Sequence, residues 1–332
     1  MTLLLIDIGN TRVKWARLVN GKMTKQQAAA NAGWTAADYA RRVIGRGWQS
    51  AATAGRSRSA GVGAGSTIVR RAGHVGAGAT AASRAADVGL ATSARRTSTA
   101  RSTSVEADTS AISTDRIIVS SVAGDKVNRT LTEAALKSGA PTPEFVTSER
   151  KAAGITTDYI DPWRLGVDRF VAAIGAHHLS SGAPVCVVSI GTAMTVDLVD
   201  GQGRHHGGTI VPGPALMVSS LLTQTNGIRR RAKGGSNGAT GMFAKSTRNA
   251  IGEGARYAAA GVIDRALEEA RILLGNKPLV LLTGGGAADI KPLIRSTAVS
   301  LPDLVLHGLA VWAHETPRAP RAETSRKRRR VV

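Results

Sequence analysis

"LLLIDIGNTRVKWARL", residues 3–18, is the stretch on which the fold of this chain turns. An apolar run ends on Asp7, the chain turns through Gly9, Asn10 and Thr11, and a second short run returns carrying Arg12 and Lys14. A strand that stops on a carboxylate and comes back with two cations suits phosphate. Gly9 lets backbone come close to a ligand, and the amides and side chains of Asn10 and Thr11 are donors for phosphate oxygens. Asp7 is placed to hold a magnesium ion together with substrate phosphates, and Lys14 to neutralise their charge. The competing reading of the same residues is an ordinary hairpin turn closed by an Asx hydrogen bond.

A second stretch repeats the pattern. "VCVVSIGTAMTVDLVD", residues 185–200, again runs apolar strand, small polar turn around a glycine, returning strand. Gly191 and Thr192 suit a phosphate, while Thr195 and Asp197 line the returning strand. A repeat of this kind predicts two similar lobes with a cleft between them and both turns facing one ligand. The glycine run "LTGGGAADI", residues 282–290, follows another apolar strand and would let a nucleotide lie against backbone. In "DYIDPWRLGVDRFVAAIGA", residues 158–176, Pro162 and Gly166 punctuate a loop, and Asp168 and Arg169 open a helix whose Phe170, Val171 and Ile174 face inward. An acid there either complements the helix dipole or accepts a hydroxyl proton, with Arg169 gripping an anionic group of the acceptor.

The composition bounds the rest. At 332 residues, two domains or one domain with extensions is the prior, and with 42% hydrophobic but only 3% aromatic residues the core must be Ala, Val, Leu and Ile. The single cysteine, Cys186, sits in an apolar run, which excludes an internal disulfide and fits a reducing cytoplasm. No run approaches the roughly 18 apolar residues of a membrane span, and the opening residues lack a signal peptide's basic region. His177, His178, His205 and His206 lack metal-ligand spacing and are expected on the surface or in loops. A net charge of +21 would point to nucleic acid, but more than half of it sits in two segments. Residues 46–104 hold nine arginines against one acid, Asp87, and residues 313–332 hold six arginines and one lysine against two glutamates.

Those segments read as unfolded. Residues 50–111 are Ala, Gly, Ser, Thr and Arg without a sustained period, a composition that does not bury enough apolar area to offset ordering. The expected organisation is an N-terminal lobe over 1–181 with a low-complexity insertion at 46–113, a second lobe over 182–313, and a disordered basic tail at 314–332. The remainder alternates as in an α/β protein. Strands are predicted at 3–8, 12–19, 116–122, 185–190, 194–199, 208–211 and 279–283. Helices are predicted at 34–45, 127–138, 167–180, 214–223, 246–273 and 303–313.

"DIGNTRVKWA", "LGVDRFVAAIGA", "IGTAMTVDLV", "GGTIVPGPALM", "AKSTRNAIGEGARYAAAGVIDRAL" and "LLTGGGA" stand in the order and with the character of type III pantothenate kinases, and the chain resembles that family over roughly residues 1–45 and 114–312. The resemblance implies an actin-like (ASKHA) fold of two ribonuclease-H-like lobes around a central ATP cleft. It implies transfer of the γ-phosphate of ATP to pantothenate, giving 4'-phosphopantothenate in the first step of coenzyme A synthesis. Carried over by position, Asp7, Ile8, Gly9, Asn10, Thr11, Arg12, Val13, Lys14 and Thr192 would bind ATP, with Asp7 holding Mg²⁺. Tyr159, Gly166, Val167, Asp168, Arg169 and Thr247 would line the pantothenate site, with Asp168 as catalytic proton acceptor. Family members are homodimers with the substrate site near the interface. Many relatives carry an aspartate for K⁺ or NH₄⁺ where this chain has Ser189, so either monovalent-cation dependence is expected to be weak or absent, or backbone carbonyls carry the site. The alternative from another class is a regulatory or nucleic-acid-binding accessory factor on the same fold.

Overall fold

β1 (Thr2–Ile8) and β2 (Arg12–Val19) form the predicted hairpin, and the alternation along β1 decides the layering around it. Leu4, Ile6 and Ile8 point to one face, Leu3, Leu5 and Asp7 to the other, because successive strand side chains alternate. The computed structural model describes residues 1–45, 114–234 and 241–316, and these belong to one compact unit. The expected insertion at 46–113 and most of the basic tail lie outside the described residues.

The first sheet adds β3 (Lys22–Met23) and β4 (Gln27–Ala30) beside β2, then β5 (Arg116–Ser121) parallel to β1, then β6 (Pro143–Phe145). The second contains β7 (Lys151–Ala152), β8 (Ile155–Thr157), β9 (Val185–Ile190), β10 (Ala193–Val199), β11 (Arg204–Pro212), β12 (Leu279–Thr283) and β13 (Val299–Ser300), in the order β13-β12-β9-β10-β11-β8-β7. The predicted repeat is present in the pairing. β9 runs antiparallel to β10 and parallel to β12, as β1 runs antiparallel to β2 and parallel to β5.

The division expected at 181/182 does not follow the sheets. β7 and β8 precede it but belong to the second sheet, because β8 pairs in parallel with β11. Helices also differ at their ends. The predicted helix at 34–45 is a short α1 (Ala36–Tyr39), opened by a Thr35/Asp38 capping box, that widens into a π-helical turn over Ala40–Ile44. The last helix runs to Glu315, two residues into the expected tail. The elements absent from the sequence reading are the short strands at 22–30 and 143–157, the edge strand β13, and two short helices described below.

Three helix layers sandwich the sheets. α1 and α2 (Asp125–Lys137) cover the outer face of the first sheet, and Leu4, Ile6, Ile117 and Val119 pack against Tyr39, Leu131 and Ala135 there. On the second sheet, α6 (Thr247–Leu274) and α7 (Ala287–Ile290) pack over Cys186, Val188 and Ile190. Between the two sheets lie α3 (Val167–Ser180) and α8 (Leu304–Glu315), sharing one core with Leu3, Leu5, Val185 and Val187. α4 (Pro214–Gln224) and α5 (Asn226–Arg231) lead away from β11 and bury none of their side chains.

The central helices touch backbone to backbone. A Cβ on Gly175 would lie 2.7 Å from the carbonyl oxygen of Leu304, and one on Gly308 would overlap the carbonyl of Val171. At the outer edge, Arg17 on β2 donates from Nη2 to the carbonyl of Ile44 at 2.8 Å and from Nη1 to the hydroxyl of Thr114 at 2.5 Å. One guanidinium thus joins the residues that flank the undescribed segment.

Gly308→Ala is expected to destabilise the protein by about 3 kcal/mol or more, since neither backbone can yield. Gly254→Ala, in the middle of α6 with nothing within 4 Å, is expected to stabilise it by roughly 0.5–1 kcal/mol through helix propensity. Urea denaturation of the two variants measures both.

Candidate active site

Where the inner faces of the two sheets run out, a cavity of about 190 Å³ opens. From the first hairpin, Asp7, Gly9, Asn10, Thr11, Arg12 and Lys14 line it; Ser189, Gly191 and Thr192 come from the second, and Asp168 and Arg169 from α3. Thr283, Gly284 and Gly285 of the glycine run close another side. The two turns therefore share one space, as the repeat predicts. Ile8 and Val13 are fully buried in the outer core, so any part they take in the site is through backbone.

Each turn is built around its glycine. The amide of Gly9 donates to the carbonyl of Arg12 at 2.9 Å, and that of Gly191 to the carbonyl of Ala193 at 3.0 Å, which commits both glycine N–H groups to the turns and leaves the next residues facing the cavity. Gly284 needs its left-handed conformation, φ +89°, and a side chain there would overlap the backbone of Ile190. This is why the glycine run sits against the second turn.

Register pairs the two sheets residue by residue. Asp7 stands between Lys14 on β2 and Ser120 on β5, and Ser189 between Thr195 on β10 and Thr283 on β12. Ser189 is the structural counterpart of Asp7. One row carries charge, the other three neutral hydroxyls. The hydroxyls of Ser120 and Thr283 are buried without a partner among the described residues.

Asp7 is 8% exposed and its carboxylate accepts no hydrogen bond among the described residues; the ammonium of Lys14 is 3.9 Å away. Burial pushes its pKa up to about 6, opposed by Lys14 and reinforced by the charge of Asp168. A carboxylate with unused lone pairs at a cavity wall fits a divalent ion shared with phosphate oxygens. Among the described residues no group of three or more His, Cys, Asp or Glu side chains could hold a metal alone. The second row, with no charge, does not fit the aspartate-based monovalent-cation site that Ser189 would replace.

Asp168 is half-buried in the first turn of α3, where its Oδ1 accepts the amide of Arg169 at 2.9 Å. A Cβ on Gly166 would lie 2.8 Å from that oxygen, so the glycine before the helix makes room for the carboxylate. Burial raises the pKa of Asp168, the Arg169 amide and charge lower it, and Asp197 raises it further.

Arg169 departs from the expectation of a free cation. It is 5% exposed, and its Nε donates to Asp197 at 3.0–3.1 Å, its Nη2 to Asp197 at 2.6 Å and its Nη1 to the Tyr159 hydroxyl at 2.8 Å. The side-on fork of the guanidinium is thus already filled, and any substrate group meets the remaining N–H groups. Asp197 also accepts from His205 Nε2 at 2.8 Å. His205 is fully buried in β11, contrary to the surface or loop position expected of it. An acid inside the apolar strand "AMTVDLV" was the available signal, since a buried carboxylate must find a cation or donors. Burial pushes the Cys186 thiol up to about 12, in keeping with an inert core residue. Tyr159, Gly166, Val167 and Thr247 do not line the cavity: Tyr159 reaches it only through its hydrogen bond to Arg169, Gly166 and Val167 sit at the head of α3, and Thr247 opens α6 behind its cap Ser246.

Two hairpins of one construction facing a single cavity, with an acid-headed helix between them, define a two-lobed actin-like phosphotransferase. The profile described as type III pantothenate kinase matches residues 65–269, and the chain belongs to that family. A type III pantothenate kinase of Nitrosococcus oceani is 28% identical over 323 residues, covering 96% of each chain. One of Stenotrophomonas maltophilia is 38% identical over 172 residues, 52% of this chain and 68% of the relative. Among solved structures, component A of (R)-2-hydroxyglutaryl-CoA dehydratase from Acidaminococcus fermentans superposes with a TM-score of 0.44 at 12% identity, over 94% of this chain and 96% of that one.

A carboxyl whose folded pKa is raised favours the folded state below its unfolded pKa, and that contribution is lost as pH rises through about 6. Asp7→Asn is therefore expected to raise stability at pH 8 by roughly 2 kcal/mol and to change it little at pH 4. Denaturation at the two pH values, without nucleotide or metal, checks this.

Proposed function

We propose that this cavity carries out the family reaction, phosphoryl transfer from ATP to pantothenate, with the two turns holding the triphosphate and Asp168 receiving the acceptor's proton. The observation that carries the reading is that both turns and Asp168 line one cavity. The cavity adjoins a larger hollow of about 540 Å³ with which it shares Thr11, Arg12, Gly191, Thr192 and Gly285. That hollow has room for the nucleoside, so the phosphates would cross between the turns. Asn10 and Thr11 donate to phosphate oxygens from one lobe, Thr192 from the other, and Lys14 offsets their charge. Asp7 holds Mg²⁺, which when bound neutralises charge on the transferring phosphoryl group.

The transition state of such a transfer is loose, so positioning and charge neutralisation contribute most. The pantothenate hydroxyl attacks the γ-phosphorus, the bond to the β–γ bridging oxygen breaks, and the hydroxyl proton passes late to a carboxylate oxygen of Asp168. A carboxylate does not ionise an alcohol beforehand. Burial, by raising the Asp168 pKa, makes it a better late acceptor than a solvated aspartate. Arg169 lines the cavity with it, and Tyr159 is bonded to Arg169, for the acceptor's carboxylate.

A homodimer fits the surface. α4 buries no side chain, Ile210 on β11 is 59% exposed, and Met242 and Phe243 ahead of α6 are 61% and 91% exposed. These precede Thr247, which would then serve the pantothenate site of a second copy. A cytoplasmic location fits the lone buried thiol, and among the described residues no helix is long and apolar enough to cross a membrane. The accessory-factor alternative has no observation in its favour.

Coupled ADP release is expected to depend on pantothenate, and Asp168→Asn is expected to lower kcat by about 10²–10⁴ while nucleotide affinity stays within a few-fold. A variant with near-full turnover would remove Asp168 from this role. Because Ser189, Thr195 and Thr283 supply hydroxyls without charge, initial rates in sodium, potassium and ammonium salts are expected to agree within about twofold. Strong activation by potassium would contradict that.

A further inference from the structure

From the cavity wall at Arg169 and Asp197 inward, hydrogen bonds run in a closed ring. The backbone N–H of Tyr159 donates to Thr157 Oγ1 at 3.2 Å, and Thr157 Oγ1 lies 3.1 Å from His205 Nδ1. His205 Nε2 meets Asp197 Oδ1 at 2.8 Å, Asp197 holds the guanidinium of Arg169, and Arg169 Nη1 returns to the Tyr159 hydroxyl at 2.8 Å. Thr157, Asp197 and His205 are 1%, 2% and 0% exposed. The partners assign the tautomer: a carboxylate only accepts, so Nε2 carries the proton and Nδ1 accepts from the threonine hydroxyl. Donation then runs from both sides into Asp197, from His205 and from Arg169, and Arg169 donates on its other side to Tyr159.

The ring leaves donors unused. Asp197 takes Nε and one N–H of Nη2, and Tyr159 takes one N–H of Nη1, so one N–H on each Nη has no partner among the described residues. The Tyr159 hydroxyl oxygen accepts from Arg169, which leaves its own proton to donate. Two donors on the guanidinium, which lines the cavity with Asp168, and one on the Tyr159 phenol bonded to it are thereby fixed. We propose that Thr157, His205 and Asp197 are positioning residues for phosphoryl transfer, forming a buried ring that fixes the Arg169 and Tyr159 donors for the carboxylate end of the acceptor. The proposal rests on the pantothenate kinase reading of the cavity. His205 matters because Asp197 is held by Arg169 alone without it, and Thr157 because its hydroxyl anchors the far nitrogen of the imidazole.

The ring predicts an effect confined to one substrate. His205→Phe is expected to raise KM for pantothenate about tenfold or more with KM for ATP within twofold, because a buried charge-assisted hydrogen bond is lost. His205→Gln, whose amide nitrogen reaches the Nε2 position, is expected to recover most of that loss. Thr157→Val keeps the shape of the site and is expected to raise the same KM about threefold to tenfold, which covers the case where the histidine variants do not fold. In ¹⁵N spectra of the wild-type protein, His205 is expected as an Nε2–H tautomer whose proton exchanges slowly with water. Unchanged pantothenate KM in His205→Phe or Thr157→Val, or equal losses for ATP and pantothenate, would overturn the proposal, as would a freely exchanging imidazole. If the wild-type protein releases no pantothenate-dependent ADP, the kinase reading fails instead, and the imidazole spectrum still decides whether the ring exists.

Discussion

The molecule is held together by the approach of α3 and α8, which pack so closely that Gly175 and Gly308 have no room for a methyl group. α8 lies on the inner face of the first sheet and α3 on that of the second, so this one crossing sets how the two hairpins meet. It also sets the depth of the cavity. Asp168 stands at the N-terminal end of α3, and a helix fixed along its length by backbone contact delivers its first turn to a defined place. Packing interiors at crystal-like density leaves little play in such an arrangement.

Two lobes of the same plan have been given different electrostatics. In the first, the inner row Lys14–Asp7–Ser120 is charged; in the second, Thr195–Ser189–Thr283 is neutral. The desolvated acid without a hydrogen-bond partner among the described residues therefore lies on the first sheet's side of the cavity. The second sheet keeps its charge one step further back, in the Arg169–Asp197 pair, where burial is offset by several hydrogen bonds to the same carboxylate. That location couples the acid at the head of α3 to strands β8, β10 and β11.

Much of this was legible in the sequence, and what was not has a physical reason. β1, β9 and β12 announce themselves by continuous apolar runs because both of their faces are covered, and β2 and β10 by returning from them through a short polar turn. The duplicated turn was visible because its small polar residues recur at matching positions. Gln27–Ala30 reads "QAAA", which favours helix in isolation, and becomes a strand only because β2 offers it an edge. The roles of Arg169 and His205 were hidden for a related reason. Asp197, eight residues before His205 and twenty-eight after Arg169, meets both only through strand register and helix packing. No local period records such a meeting.

The Arg17 clasp carries a consequence for heredity. By joining Ile44 to Thr114 from inside the lobe, it makes the sheet indifferent to how many residues travel between them, since closing a longer loop costs only a logarithm. The length and sequence of that passage can therefore change while the strand pairings on either side stay as they are. For the protein engineer the same seam is a port: a place to graft foreign sequence into the chain while the scaffold on either side stays closed.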